Sequence, residues 1–207
     1  MVNFRVLLIT DDTGRTTESL HCILRTACEA GIRAVQLREK SRDARDLHDL
    51  ARSTRDVVNA AGGRLLVNDR VDIALSVEAD GVHCPQRGFP AACARRLLGE
   101  DGLVGMSVHS TEATRYAETQ GVDFILFGPI FGTPSKAAFG KPQGLEALRE
   151  ACCAVEIPVF AVGGITPHNA TDCIGVGAAG VAVISSIMQS NRVAETVSRY
   201  EAVLGTL

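Results

Sequence analysis

Short apolar runs alternate along this chain with longer amphipathic stretches, and nearly every run ends in a polar or glycine cluster. That is the rhythm of βα units and not of hairpins, because a buried parallel strand reads as a brief apolar run and the crossover helix after it repeats at 3.6 residues. Strands are expected at 5–10, 34–38, 64–68, 81–84, 103–108, 124–128, 158–162 and 180–184, and helices at 17–30, 43–60, 70–77, 90–98, 110–120, 145–153, 167–176 and 193–204. Gly31, Gly121 and Gly177 each close a helix a few residues before a strand, as a left-handed C-cap demands. Thr166-Pro167 offers an N-cap followed by proline in the first turn of the next-to-last helix, and Ser110 is the N-cap of another.

Eight parallel strands joined by helices close most economically into a (β/α)8 barrel of the TIM type. The chain has 207 residues and 46% hydrophobic content, which suits a single domain over residues 1–207 with a large core and short loops. An open doubly wound sheet is the rival, but Thr10-Asp11-Asp12-Thr13-Gly14 stands where a G-x-G-x-x-G would follow the first strand. In either architecture the loops leaving the strands' carboxyl ends converge on one rim.

A net charge of -3 with one adjacent Arg95-Arg96 pair argues against a nucleic-acid or anionic-membrane surface. No apolar run reaches the roughly 18 residues that a membrane span needs. Seven cysteines without C-x-x-C spacing, and no basic-then-apolar leader, give the expectation of a reduced, cytoplasmic protein most of whose thiols are small buried hydrophobes.

The rim residues carry the chemistry. Gln36, Arg38 and Lys40 lie two apart and share one face of a strand, bringing an amide, a guanidinium and an ammonium together. A planar fork and a mobile point charge suit a pyrophosphate, although the same two cations could pair with Glu39 or Asp69 at a solvated strand end. Asn68-Asp69 ends the next strand; one carboxylate is enough for Mg²⁺ bound to phosphate, while Asn-Asp is also ordinary N-cap chemistry for a helix from Arg70. Ser107 and His109 again sit two apart, His109 placed for acid-base work and Ser107 for hydrogen bonding to a ligand; His83 is read as structural. The Gly- and Pro-punctuated segment 128–136 brings Thr133, Ser135 and Lys136 to a loop of the kind that closes over ligands. Val162-Gly163-Gly164-Ile165 and Ile184-Ser185-Ser186-Ile187 follow the last two strands, where barrels bind phosphate through backbone N–H groups. Two anion sites result, one basic and metal-assisted, one neutral, as a transferase with a departing pyrophosphate and a retained monophosphate would need.

Gln36-Leu37-Arg38-Glu39-Lys40, Asn68-Asp69, Gly81-Val82-His83, Gly105-Met106-Ser107-Val108-His109, Gly128-Pro129-Ile130-Phe131, Thr133-Pro134-Ser135-Lys136 and Gly163-Gly164-Ile165 together resemble the thiamine phosphate synthases, in a superfamily shared with the thiazole tautomerases. The resemblance runs nearly end to end. It implies coupling of hydroxymethylpyrimidine diphosphate with thiazole phosphate, with pyrophosphate release assisted by Mg²⁺ and dissociative chemistry at the pyrimidine. By position it implies that Gln36, Arg38, Lys40, Asn68, Asp69, Ser107 and Lys136 hold the diphosphate and its metal. It assigns Thr133, Ser135, Gly164, Ile184 and Ser185 to the thiazole phosphate, and catalysis to Arg38, Lys40, Ser107, His109 and Lys136.

One departure stands out. The family continues Gly-Val-His into Gln-x-Asp, whose aspartate is a second metal ligand, whereas Gln86-Arg87-Gly88 puts glycine there. Either Arg87 contacts pyrophosphate, or Asp69 holds Mg²⁺ alone, or the chain is a tautomerase using His109; a non-catalytic sensor of these phosphates is a further alternative. Asp69 and the complete Thr-x-Ser-Lys loop favour the synthase. Expected partners are the phosphorylated pyrimidine and thiazole substrates, with homo-oligomer formation left open, and neither nucleic acid nor membrane.

Overall fold

The computed structural model describes residues 2–11, 13–132 and 142–205. Eight parallel strands close into a barrel in strict sequence order: β1 Val6–Ile9, β2 Ala34–Leu37, β3 Arg64–Asn68, β4 Gly81–Cys84, β5 Leu103–Val108, β6 Phe124–Phe127, β7 Val159–Val162 and β8 Gly180–Val183. β1 closes the ring by pairing with both β2 and β8, Leu7 opposite Ala34 and Ala182. The helices are α1 Thr17–Glu29, α2 Ala44–Ala60, α3 Val71–Ser76, α4 Ala91–Leu98, α5 Thr111–Thr119, α6 Gly144–Cys153, α7 Ala170–Gly175, α8 Ser185–Met188 and α9 Val193–Leu204. None of them is long and apolar enough to cross a membrane.

Strand alternation sorts the core into two layers. Leu7, Ile9, Ala34, Leu66, Leu103, Phe124, Leu126, Phe160 and Ala182 point inward and fill the barrel, with Phe4 as a plug. The intervening residues, among them Leu8, Val35, Val67 and Val181, pack outward against the helices. Inside, Phe4, Phe124 and Phe160 meet at ring-centroid distances of 5.3–5.7 Å. These rings stop the lower half of the barrel, so a ligand can enter only from the other end.

Two local expectations are corrected. The helix expected at 167–176 starts at Ala170 instead. Asn169 Oδ1 accepts the Thr166 N–H at 2.8 Å, which makes 166–169 a turn and takes away the capping role assigned to Thr166. The Ile184-Ser185-Ser186-Ile187 segment, read as a loop, is the start of α8, a single turn too short for any periodicity to register. Ser110 does cap α5, its Oγ accepting Ala113 N–H at 3.1 Å, and Gly31, Gly121 and Gly177 all have positive φ. Among the described residues the loops are short, as expected.

Candidate active site

At the carboxyl ends of the strands the inward positions turn polar. Gln36 on β2 donates from Nε2 to Asn68 Oδ1 on β3 at 2.9 Å, and His83 Nε2 on β4 lies 2.8 Å from Ser107 Oγ on β5. Gln36 is buried and keeps an unpartnered Oε1. His83 is buried too, with Nδ1 unpartnered, and desolvation together with the nearby Arg38 charge lowers its pKa to about 3, so the ring is neutral. Placing the proton on Nε2 leaves a lone pair, not an N–H, without a partner on Nδ1. His83 then donates to Ser107, and the serine hydroxyl proton is free to face a ligand. The ring fits because Gly105 sits opposite it: a Cβ there would stand 2.6 Å from His83 Nδ1 and 2.3 Å from the Phe124 ring.

Sequence reasoning set His83 aside as structural, and the structure puts it in contact with a candidate residue. The signal was available in Gly105, in register with it on the neighbouring strand. Thr10 was also missed. Its hydroxyl donates to the buried Glu39 at 2.7 Å and accepts Arg38 N–H at 2.9 Å, fixing the backbone where Arg38 leaves β2. Glu39 further faces Arg42 at 3.9 Å. Arg38 is half-buried at the barrel mouth and Lys40 is exposed beyond it.

Asn68 and Asp69 are not helix caps, since the N-cap of α3 is Arg70, without a side-chain capping bond. Asp69 stands at φ 61 and directs Oδ1 across to Phe89 N–H, at 2.6 Å. A Cβ on Gly88 would lie 2.2 Å from that same oxygen, so the carboxylate of Asp69 occupies the room a side chain at 88 would need. Glycine at 88 therefore leaves the Asp69 carboxylate its place. Among the described residues no group of three or more His, Cys, Asp or Glu is gathered to hold a metal. A lone carboxylate nonetheless fits Mg²⁺, which commonly takes one or two protein carboxylates and fills its octahedron with water and substrate oxygens. Arg87 is exposed.

The turn after β7 is shaped by its glycines. Gly163 and Gly164 have φ of 98° and 68°, which only glycine adopts without strain. They are also crossed by the β6 loop: a Cβ on Gly163 would meet Pro129 at 2.6 Å, and one on Gly164 would meet Phe131 at 2.8 Å. The glycines therefore serve loop-on-loop packing. Beside them α8 opens with Ser185 exposed and its first N–H groups free of intrahelical partners, following Ile184, which packs on the inner core. His109 is exposed and its Nδ1 meets Gly128 O at 2.5 Å, so this nitrogen carries the proton and the ring ties the β5 loop to the start of the β6 loop. Thr133, Ser135 and Lys136 lie outside the described residues.

A family model described as thiamine monophosphate synthase matches residues 6–187. The thiamine-phosphate synthase of Moorella thermoacetica is 45% identical over 92% of this chain and 90% of its own length, and that of Chloroflexus aurantiacus is 38% identical over 99% and 94%. Among solved structures, a thiamine phosphate pyrophosphorylase from Pyrococcus furiosus superposes with a TM-score of 0.86 at 32% identity, covering 97% of this chain and 95% of that one.

Proposed function

Because the chain belongs to the thiamine monophosphate synthase family, we propose that it is a thiamine-phosphate synthase. It joins hydroxymethylpyrimidine diphosphate to thiazole phosphate at the mouth of one barrel domain. The bond between the pyrimidine methylene and the diphosphate oxygen breaks, pyrophosphate leaves, and the methylene bonds to the thiazole nitrogen. The observation that carries this reading is the pair of contacts Gln36–Asn68 and His83–Ser107 at the carboxyl ends of β2 to β5, with the Arg38 charge felt by His83.

In this reading the aminopyrimidine, with a donor and acceptors on its edge, lies against the Gln36–Asn68 pair. Arg38, Lys40 and Lys136 gather the diphosphate, and Ser107 donates its hydroxyl to a ligand oxygen. As the C–O bond lengthens, negative charge builds on pyrophosphate, and these preset donors stabilise it more strongly than they stabilise the bound substrate. Asp69 is the residue that would hold Mg²⁺, which when bound neutralises diphosphate charge. The thiazole phosphate occupies the backbone pocket of Gly164, Ile184 and Ser185, with Thr133 and Ser135 from the β6 loop, and His109 steadies that loop through Gly128. Neutral donors suit a group that must stay bound while its neighbour is expelled.

The test is direct. Purified protein given both phosphorylated precursors and Mg²⁺ should form thiamine phosphate and pyrophosphate in equal amounts, read by chromatography. If none forms while a known synthase works alongside, the reading is wrong.

A further inference from the structure

The backbone pocket depends on two loops that share no hydrogen-bonded strand residue at the site, the Gly163-Gly164-Ile165 turn after β7 and the single turn of α8 after β8. A lone helical turn has no stability of its own, since nucleation costs more than one or two backbone bonds return. Its position has to be imposed from outside. At its far end Arg15 Nη2 donates to Met188 O at 2.9 Å, with Arg15 itself paired to Asp11 at 3.2 Å. Near its start a different residue does more.

Tyr200 on α9 is fully buried, and its hydroxyl touches both loops: it donates to Ile165 O at 3.0 Å and lies 2.8 Å from Ser186 Oγ. The proton inventory fixes the directions. A phenol has one proton, and the carbonyl can only accept it, so Ser186 must donate to the phenol oxygen. Ser186 is thereby occupied, and of the two adjacent serines only Ser185, the exposed one, has its hydroxyl available to a ligand. Burial pushes the Tyr200 phenol up to about 12, so the bridge keeps its proton throughout the working range of pH.

We infer that Tyr200 is a positioning residue for the monophosphate pocket, its hydroxyl clamping the β7 turn to the first turn of α8 so that the backbone N–H groups of both converge on one phosphate. This rests on the proposed function for the identity of the ligand, thiazole phosphate, but not for the geometry. The clamp lies on the β7–β8 side of the mouth, away from Arg38 and Asp69, which directly follow β2 and β3, so its influence should be confined to one of the two substrates.

The experiment measures calorimetric binding of thiazole phosphate and of hydroxymethylpyrimidine diphosphate with Mg²⁺, separately, to wild type, Tyr200→Phe, Ser186→Ala and the double variant. Tyr200→Phe keeps the ring and removes both bonds. Thiazole phosphate affinity should fall about tenfold, the factor carried by one or two neutral hydrogen bonds, while diphosphate affinity changes by less than about twofold. Ser186→Ala should lose about threefold, and the double variant should match Tyr200→Phe, because the two side chains act as one unit. In steady state the thiazole phosphate KM should rise while the diphosphate KM holds. A merely structural role predicts a lowered Tm with both affinities kept, or both falling together, and either result overturns the inference. If Tyr200→Phe does not fold, Ser186→Ala decides alone, and unaltered thiazole phosphate affinity in it overturns the clamp. Wild type that binds thiazole phosphate without coupling would defeat the proposed reaction and leave the clamp standing; wild type that binds no thiazole phosphate defeats both.

Discussion

At the amino ends of the strands, polar side chains are spent on the fold. Asp80 accepts Leu65 N–H at 2.8 Å, Asp123 accepts Val104 N–H at 2.7 Å, and Arg95 joins Asp123 to the carbonyls of Gly99, Gly102 and Gly121. At the carboxyl ends the accounts stay open: Asp11 Oδ2, Gln36 Oε1 and His83 Nδ1 are buried without a partner, and Asp69 is held in a left-handed conformation. Arg5 Nε is the one unpartnered buried side-chain atom at the lower end among the described residues. A buried polar atom left unsatisfied costs roughly 1–3 kcal/mol. Three such atoms lie on one rim, where the strands could bury aliphatics. The lower rim stabilises the barrel, and the upper rim gives up stability.

That contrast can be broken by substitutions at each level. The largest effect is expected in the inner core: Phe160→Ala removes a fully buried ring packed on Phe4 and Phe124 and should cost about 3–5 kcal/mol in urea unfolding, with substrate KM values little changed. A large loss of affinity with intact stability would contradict the division of labour. At the mouth, Arg38→Ala should lower kcat/KM by about 10- to 150-fold, the loss of a charge-assisted contact of roughly 1.5–3 kcal/mol, with little change in unfolding free energy.

Smaller and more diagnostic is Gly88→Ala. Its methyl group would fall 2.2 Å from Asp69 Oδ1 and must push the carboxylate aside. It should raise the Mg²⁺ concentration needed for half-maximal activity by several-fold, in the same direction as Asp69→Asn but less. An unaltered Mg²⁺ requirement in both variants would remove Asp69 from any metal role.

A further effect is a pH slope. His83 is held neutral with a pKa near 3, well below its ordinary 6.5, so between those values the unfolded chain binds the extra proton. Stability is then fully present above about pH 6.5 and falls as the pH drops through that window. Half-buried His21, also lowered by burial, adds in the same sense. Urea unfolding between pH 7 and 5, above most carboxylate titration, should show this slope in wild type and a shallower one in His83→Gln; equal slopes would mean that His83 is not buried in its neutral form.

Much of this was legible in the sequence because strand chemistry is local. The eight strands sit where the apolar runs are, and Gln36, Asn68 and Ser107 share an inward face because alternation along a strand is strict. What sequence could not supply came from pairings across the barrel. Nothing near Asp69 announces that its carboxylate lies over Gly88, nothing near Tyr200 that its hydroxyl reaches Ile165 and Ser186, and nothing near Gly164 that the β6 loop crosses it. The turn at 166–169 was misread because Thr-Pro is a fair helix start by propensity and lost to the Asn169 side chain, which supplied a competing hydrogen bond. Thr133, Ser135 and Lys136, outside the described residues, rest on the resemblance.

The central claim is that a basic side-chain pocket and a neutral backbone pocket share one barrel mouth. A crystal structure of the protein with thiamine phosphate, pyrophosphate and Mg²⁺ tests it most directly. The account predicts the monophosphate against Gly164 and Ser185, pyrophosphate against Arg38, and the pyrimidine between them over Gln36 and Ser107. Ligand density at the other end of the barrel, or the two phosphorylated groups in unconnected places, would contradict it.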